Sequence, residues 1–229
     1  VPPRSSDPRP SWCMLLAGAP EIASSVRERI AQTAPEWALR SSEHAAAEMT
    51  LLADEVDPEH VILLQGAELT EERLREHLPS ASVVHFAAPF RVNGASPLFS
   101  SVLLGGEPGH AANRSATDAV LDAREVMNLD LQAALAVVSD GAAMAMREAS
   151  DEAAVVQWAW RAAGVPALVL PRWSGDDEAS REFLVEFYRR VHEGDSAAAA
   201  LHTASAAIRR KEGRSAPFYW AGWLLIAGR

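Results

Sequence analysis

Leu135-Ala136-Val137-Val138-Ser139-Asp140-Gly141 is the stretch that decides the fold. Four apolar residues run without alternation and stop at a polar turn. A strand with one wet face alternates apolar and polar residues, whereas one that is apolar throughout is covered on both faces. The pattern recurs outward from this stretch. Residues 12–16 (ending at Gly18), 61–64 and 83–86 precede it, and 167–170 and 223–226 follow. Between these runs the period lengthens to that of a helix. Ile22, Val26 and Ile30 recur every four residues, with Pro20 and Glu21 suited to a first turn. Residues 42–56 are alanine-rich. Thr70 suits a cap, with Glu71 and Glu72 in the turn that follows. Residues 122–129 and 151–163 read as helices, the second stopping at Gly164. Residues 176–192 place Ala179, Phe183, Phe187 and Val191 on one stripe, and Asp195 suits the cap of a last helix running to about 211. An irregular stretch after 86 leads to Val102-Leu103-Leu104, and residues 105–117 form a polar, Gly- and Pro-containing loop. Buried strands alternating with helices predict an α/β domain in three layers, with a mostly parallel central sheet and helices on both faces. No period of 20–50 residues repeats, which excludes a solenoid.

Composition narrows the function classes. The chain has 229 residues, 48% of them apolar and 23% charged, enough apolar surface to exclude a disordered chain. With 21 Lys and Arg against 31 Asp and Glu, the net charge is −10. An acidic surface repels phosphate, so nucleic acid is not the expected partner. No window approaches the roughly 18 apolar residues of a membrane span. Cys13 is the one cysteine, which excludes an internal disulfide and a cysteine-built metal site. Its place in an apolar run reads as a small buried hydrophobe. A reducing, cytoplasmic setting is the expectation. The first ten residues carry four prolines, which disfavours helix and interior strand. Residues 1–11 therefore read as a linker, 12–229 as a single domain, and the chain as a segment of a longer protein with domains upstream. The seven histidines lack metal-ligand spacing. Gly105-Gly106 is not followed by the Gly-Lys-Ser/Thr of a phosphate loop. No metal and no cofactor are expected. Of the seven tryptophans, all but Trp173 read as core.

In a parallel α/β sheet, ligands bind beyond the carboxyl ends of the strands. There the sequence reads His85-Phe86-Ala87-Ala88-Pro89-Phe90, then Ser139-Asp140-Gly141, then Arg172-Trp173-Ser174-Gly175-Asp176-Asp177. With Ser96-Pro97-Leu98-Phe99-Ser100, Ala163-Gly164-Val165 and Phe218-Tyr219-Trp220-Ala221, these segments resemble, in order and placement, the CHAT domain. That family is related to caspases, gingipains and separase. The resemblance covers roughly residues 12–228 and implies a caspase-like fold.

The resemblance also implies where a catalytic pair would stand. The family's catalytic histidine falls at Pro89 and its cysteine at Gly141. Their separation of 52 residues agrees with the about 50 known for caspases. Proline in a chain has no titratable nitrogen and glycine no nucleophile. A cysteine peptidase needs both a thiolate and an imidazole. Loss of one member of such a unit can cost on the order of 10⁶ in turnover. The expectation is a catalytically inactive peptidase fold. It would serve as a protein-interaction or regulatory module of a larger bacterial protein, with a protein or peptide partner, upstream domains of the same chain among the candidates. The alternative is an active relative, or a hydrolase with a remodelled set built on Ser139 and His85. Against it, Asp140-Gly141 is an ordinary turn pair, and Ser139 and His85 match non-catalytic family residues. His85, Ser139, Asp140, Trp173, Asp176 and Asp177 are the candidate lining of the cleft. An acidic cleft of this kind suits a basic or extended peptide. Helix capping is the competing role for Asp176 and Asp177.

Overall fold

In a computed structural model, residues 12–33, 43–56, 58–91, 93, 95–105, 119–139 and 151–227 are described. The strands are β1 (Met14–Pro20), β2 (Val61–Gly66), β3 (Val83–Ala87), β4 (Phe90–Arg91), β5 (Ser101–Leu103), β6 (Val120–Asp122), β7 (Leu135–Val138), β8 (Ala167–Pro171) and β9 (Trp223–Ala227). The helices among these residues are α1 (Ser24–Thr33), α2 (Glu43–Asp54), α3 (Glu71–His77), α4 (Ala123–Met127), α5 (Asp151–Ala162), α6 (Asp177–His192), α7 (Ala197–Arg209) and α8 (Pro217–Trp220).

The main sheet has the order β2-β1-β3-β7-β8-β9. Its first five strands are parallel and β9 is antiparallel to β8. A second, antiparallel sheet β4-β5-β6 branches off after β3.

The period of two in a strand sends neighbouring side chains to opposite faces. Leu15, Val84, Phe86, Ala136, Val138 and Leu168 pack on one face, with Leu74 of α3, Val126 of α4 and Trp160 of α5. Met14, Leu16, Val83, Leu135, Val137 and Val169 pack on the other, with Met49 of α2, Phe183 and Phe187 of α6 and Ala204 of α7. The result is the three-layered α/β architecture with a mostly parallel sheet that the apolar runs predict.

Local signals set most boundaries. The Thr70 side chain accepts from Arg73 N at the start of α3. Asp122 and Glu125 cap α4 reciprocally. Gly164, at φ +107°, ends the α5 turn in a conformation that disfavours a side chain.

Several expectations are corrected. Pro20 and Glu21 do not start α1. Pro20 ends β1 opposite Gly66, Glu21 N donates to Gly66 O at 3.0 Å, and the helix starts at Ser24. The pairing with β2 carries the chain past Gly18, so β1 runs 14–20 rather than 12–16. Cys13 is therefore half-buried just ahead of β1, with a free thiol whose pKa burial raises. Ser196, not Asp195, caps α7, its side chain accepting from Ala199 N. The edge strands are not covered on both faces: Leu63 of β2 and Leu224 of β9 are exposed. Trp158 is not core either; it is 55% exposed, on the side of α5 away from the sheet. No helix among the described residues is long and apolar enough to cross a membrane.

Candidate functional site

The site forms where α2 and α6 meet the carboxyl ends of β3, β7 and β8. Gly18 allows the close approach of α2. A Cβ there would lie 2.8 Å from Ala87 Cβ and 2.9 Å from Met49 Sδ. Glu48 precedes Met49 on the same inward stripe and is drawn beneath the surface, 9% exposed. From β3, His85 points to the same layer and is fully buried. Ser139 follows the last residue of β7, and its backbone N donates to Phe86 O at 2.8 Å. Tyr188 comes from α6, beside Phe187.

These four side chains form one polar cluster. His85 Nδ1 lies 2.8 Å from the Tyr188 hydroxyl, and His85 Nε2 lies 2.9 Å from Glu48 Oε1. The Ser139 hydroxyl donates to the same Glu48 oxygen and lies 3.4 Å from His85 Nε2. Burial, reinforced by the Glu48 charge, raises the Tyr188 pKa well above its ordinary value. Tyr188 therefore keeps its proton. A Glu48 carboxylate can only accept, which assigns the imidazole proton to Nε2, and the Nδ1 of that neutral tautomer accepts from the Tyr188 hydroxyl. Buried polar groups are tolerated when paired in this way.

Glu48 and Ser139 also floor a cleft of about 710 Å³, counted out to its open mouth. Trp173, Phe218, Tyr219 and Trp223 supply aromatic walls, Asp177 and Arg181 supply charge, and His44 adds an imidazole. His44 Nδ1 stands 3.3 Å from Asp177 Oδ2. The pair joins the first turns of α2 and α6 across the rim. Trp173 is held in place by Nε1 donating to Phe218 O at 3.1 Å, and the Arg172 guanidinium lies 5.2 Å from its ring centre.

The sequence candidates therefore divide. Ser139, Trp173 and Asp177 line the cleft. His85 does not; it is sealed behind Glu48. Asp176 does not either. It caps α6, accepting from Ala179 N at 2.8 Å, so the competing role applies to Asp176 and not to its neighbour. Pro89 is half-buried in the turn before β4, its carbonyl accepting from Leu103 N at 2.8 Å. Asp140 and Gly141 lie outside the described residues.

Sequence reasoning missed Glu48, Tyr188, His44, Arg181 and Tyr219. For Glu48 a signal existed. Ala45, Met49 and Leu52 define the inward stripe of α2, and a carboxylate on that stripe needs buried partners. Among the described residues, no group of three or more His, Cys, Asp and Glu is arranged to hold a metal.

Comparison with known proteins adds three findings. The sequence model of the CHAT domain matches residues 3–229. Tetratricopeptide repeat protein 28 of Homo sapiens is 24% identical over 238 residues, covering 92% of this chain and 9% of that protein. Among solved structures, the Saccharomyces cerevisiae separase–securin complex is similar with a TM-score of 0.47 and 11% identity, covering 95% of this chain and 12% of that one. The chain thus spans about a tenth of the length of either.

Proposed function

The chain belongs to the CHAT domain family, a peptidase-fold family, and we propose that within it this domain binds a protein or peptide without cleaving it. The observation that carries this reading is the direction of the imidazole. His85 has one nitrogen on Glu48 and the other on Tyr188, and with the Nε2 proton assigned to the Glu48 carboxylate no lone pair is aimed at Ser139. A serine nucleophile needs a base that accepts its proton, with a third group behind that base. Here the serine and the imidazole both donate to one carboxylate oxygen. Pro89 stands where the resemblance puts the family's base, and Gly141 where it puts the thiol. What remains is a cleft with aromatic walls and charged groups, suited to holding an extended segment.

The wider reading is that the domain serves a larger bacterial, cytoplasmic protein as an interaction or regulatory module. Support for a larger protein is the small share of its human relative that the chain spans.

A hydrolase built on Ser139 is the second reading, favoured by one observation: Ser139 Oγ lies 3.4 Å from His85 Nε2. A panel of fluorogenic peptides and esters, together with a fluorophosphonate probe, separates the two. Binding without turnover or labelling is expected. Turnover that disappears in Ser139→Ala would establish the hydrolase instead.

A further inference from the structure

We infer that the cleft recognises a primary ammonium group through Glu48, and this rests on the binding reading above. Glu48 is nine-tenths buried. Its Oε1 takes both hydrogen bonds from His85 and Ser139. Its Oε2 has no partner among the described residues, and Glu48 lines the cleft. A buried carboxylate on a cleft wall, with one oxygen unpartnered among the described residues, leaves a hydrogen-bond set to complete. A charged donor is the group that completes it most strongly.

The geometry also selects among cations. Guanidinium prefers both oxygens of a carboxylate in a parallel fork. Glu48 offers one, because Oε1 is already engaged twice. The other acceptor nearby is the Ser139 hydroxyl oxygen, whose proton is directed to Oε1. One carboxylate oxygen and one hydroxyl oxygen suit the compact, rotatable donors of an ammonium. Trp173 and Tyr219 line the walls through which an apolar stem would pass, and an aromatic face favours a cation. Asp177 adds negative charge at the rim, half-committed to His44. Arg181, also on the lining, opposes it. A lysine side chain and a free peptide N-terminus share this chemistry.

The test uses calorimetric titration of the protein with short peptides. One carries a lysine between blocked ends. Others replace it with norleucine, Nε-acetyl-lysine or arginine, and a last one has its N-terminus as the sole amine. The lysine or the N-terminal peptide is expected to bind at least about tenfold tighter than norleucine and acetyl-lysine, and tighter than arginine; whichever of the two amines binds identifies the source. Glu48→Gln, checked for folding by thermal unfolding, should abolish the preference. Ser139→Ala leaves Glu48 in place and should reduce it several-fold. Equal binding of lysine and norleucine peptides, or an unchanged preference in Glu48→Gln, overturns the inference while leaving the binding reading intact. Cleavage of the peptides, or no binding by any of them, overturns that reading instead.

Discussion

His85 and Phe86 are adjacent in one strand, equally buried, and opposite in what surrounds them. Phe86 faces the layer of α3, α4 and α5, where Trp160 is its ring neighbour at 5.5 Å. His85 faces the layer of α2, α6 and α7, where Glu48 and Tyr188 take its two nitrogens. On the Phe86 side, stability comes from area and close packing, which add nearly independently for distant residues. On the His85 side it comes from mutual satisfaction, which fails as a unit when one member is lost. Burial alone therefore does not say what a position does. The same degree of enclosure can fill space or hold a carboxylate in place beneath a cleft.

The largest expected effects test that contrast directly. Phe86→Ala should cost about 3–5 kcal/mol in denaturant unfolding, since it leaves a cavity in a dry layer. His85→Leu should cost about 3 kcal/mol, for a different reason: it strands the Glu48 charge and the Tyr188 hydroxyl. Combining His85→Leu with Tyr188→Phe should cost less than the sum of the two alone, because the second change removes a stranded group. Additivity in that double-mutant cycle would mean that the cluster is not a unit.

Tyr188→Phe alone should cost about 1–2 kcal/mol at neutral pH. It should also change the alkaline limb of stability. Because folding raises the Tyr188 pKa, the protonated form is favoured in the fold. Its contribution is complete below the ordinary tyrosine pKa and is lost as pH rises above it. The variant should therefore lose less stability above about pH 10 than the parent does, as followed by circular dichroism.

The two aspartates at the start of α6 sharpen the comparison on the surface. Asp176→Ala removes a cap and should cost about 1 kcal/mol without altering peptide binding. Asp177→Asn should leave stability within about 0.5 kcal/mol and weaken peptide binding.

The smallest effect lies outside the buried cluster. On the exposed part of α6, hydrogen bonds from Arg189 and then Arg190 hold Glu186 below its ordinary pKa. A lowered carboxylate pKa gives stability that is present above the ordinary carboxylate range and lost as pH falls through it. Solvent screens such pairs, so Glu186→Gln should lower Tm by only about 1 °C at neutral pH. That difference should disappear in acid.

Much of this was written in the sequence. The unbroken apolar runs determined the buried strands, because a pleated surface covered on both faces tolerates little polarity. The stripe of Ala179, Phe183 and Phe187 determined that α6 packs by one face. Thr70 and Asp122 marked helix starts through hydrogen bonds spanning only three residues. Local signals failed where a distant partner decided. Pairing with Gly66 extended β1 through Pro20, and position at a sheet edge uncovered Leu63 and Leu224. The cluster is the extreme case. Glu48, His85, Ser139 and Tyr188 come from four separate elements, and no spacing along the chain relates them. The sequence specified each side chain and the strand end where chemistry would gather. Which carboxylate reached that end and which aspartate faced His44 at the rim were settled by the packing of α2 and α6 across the sheet, since hydrogen bonds depend on distance in space and not along the chain.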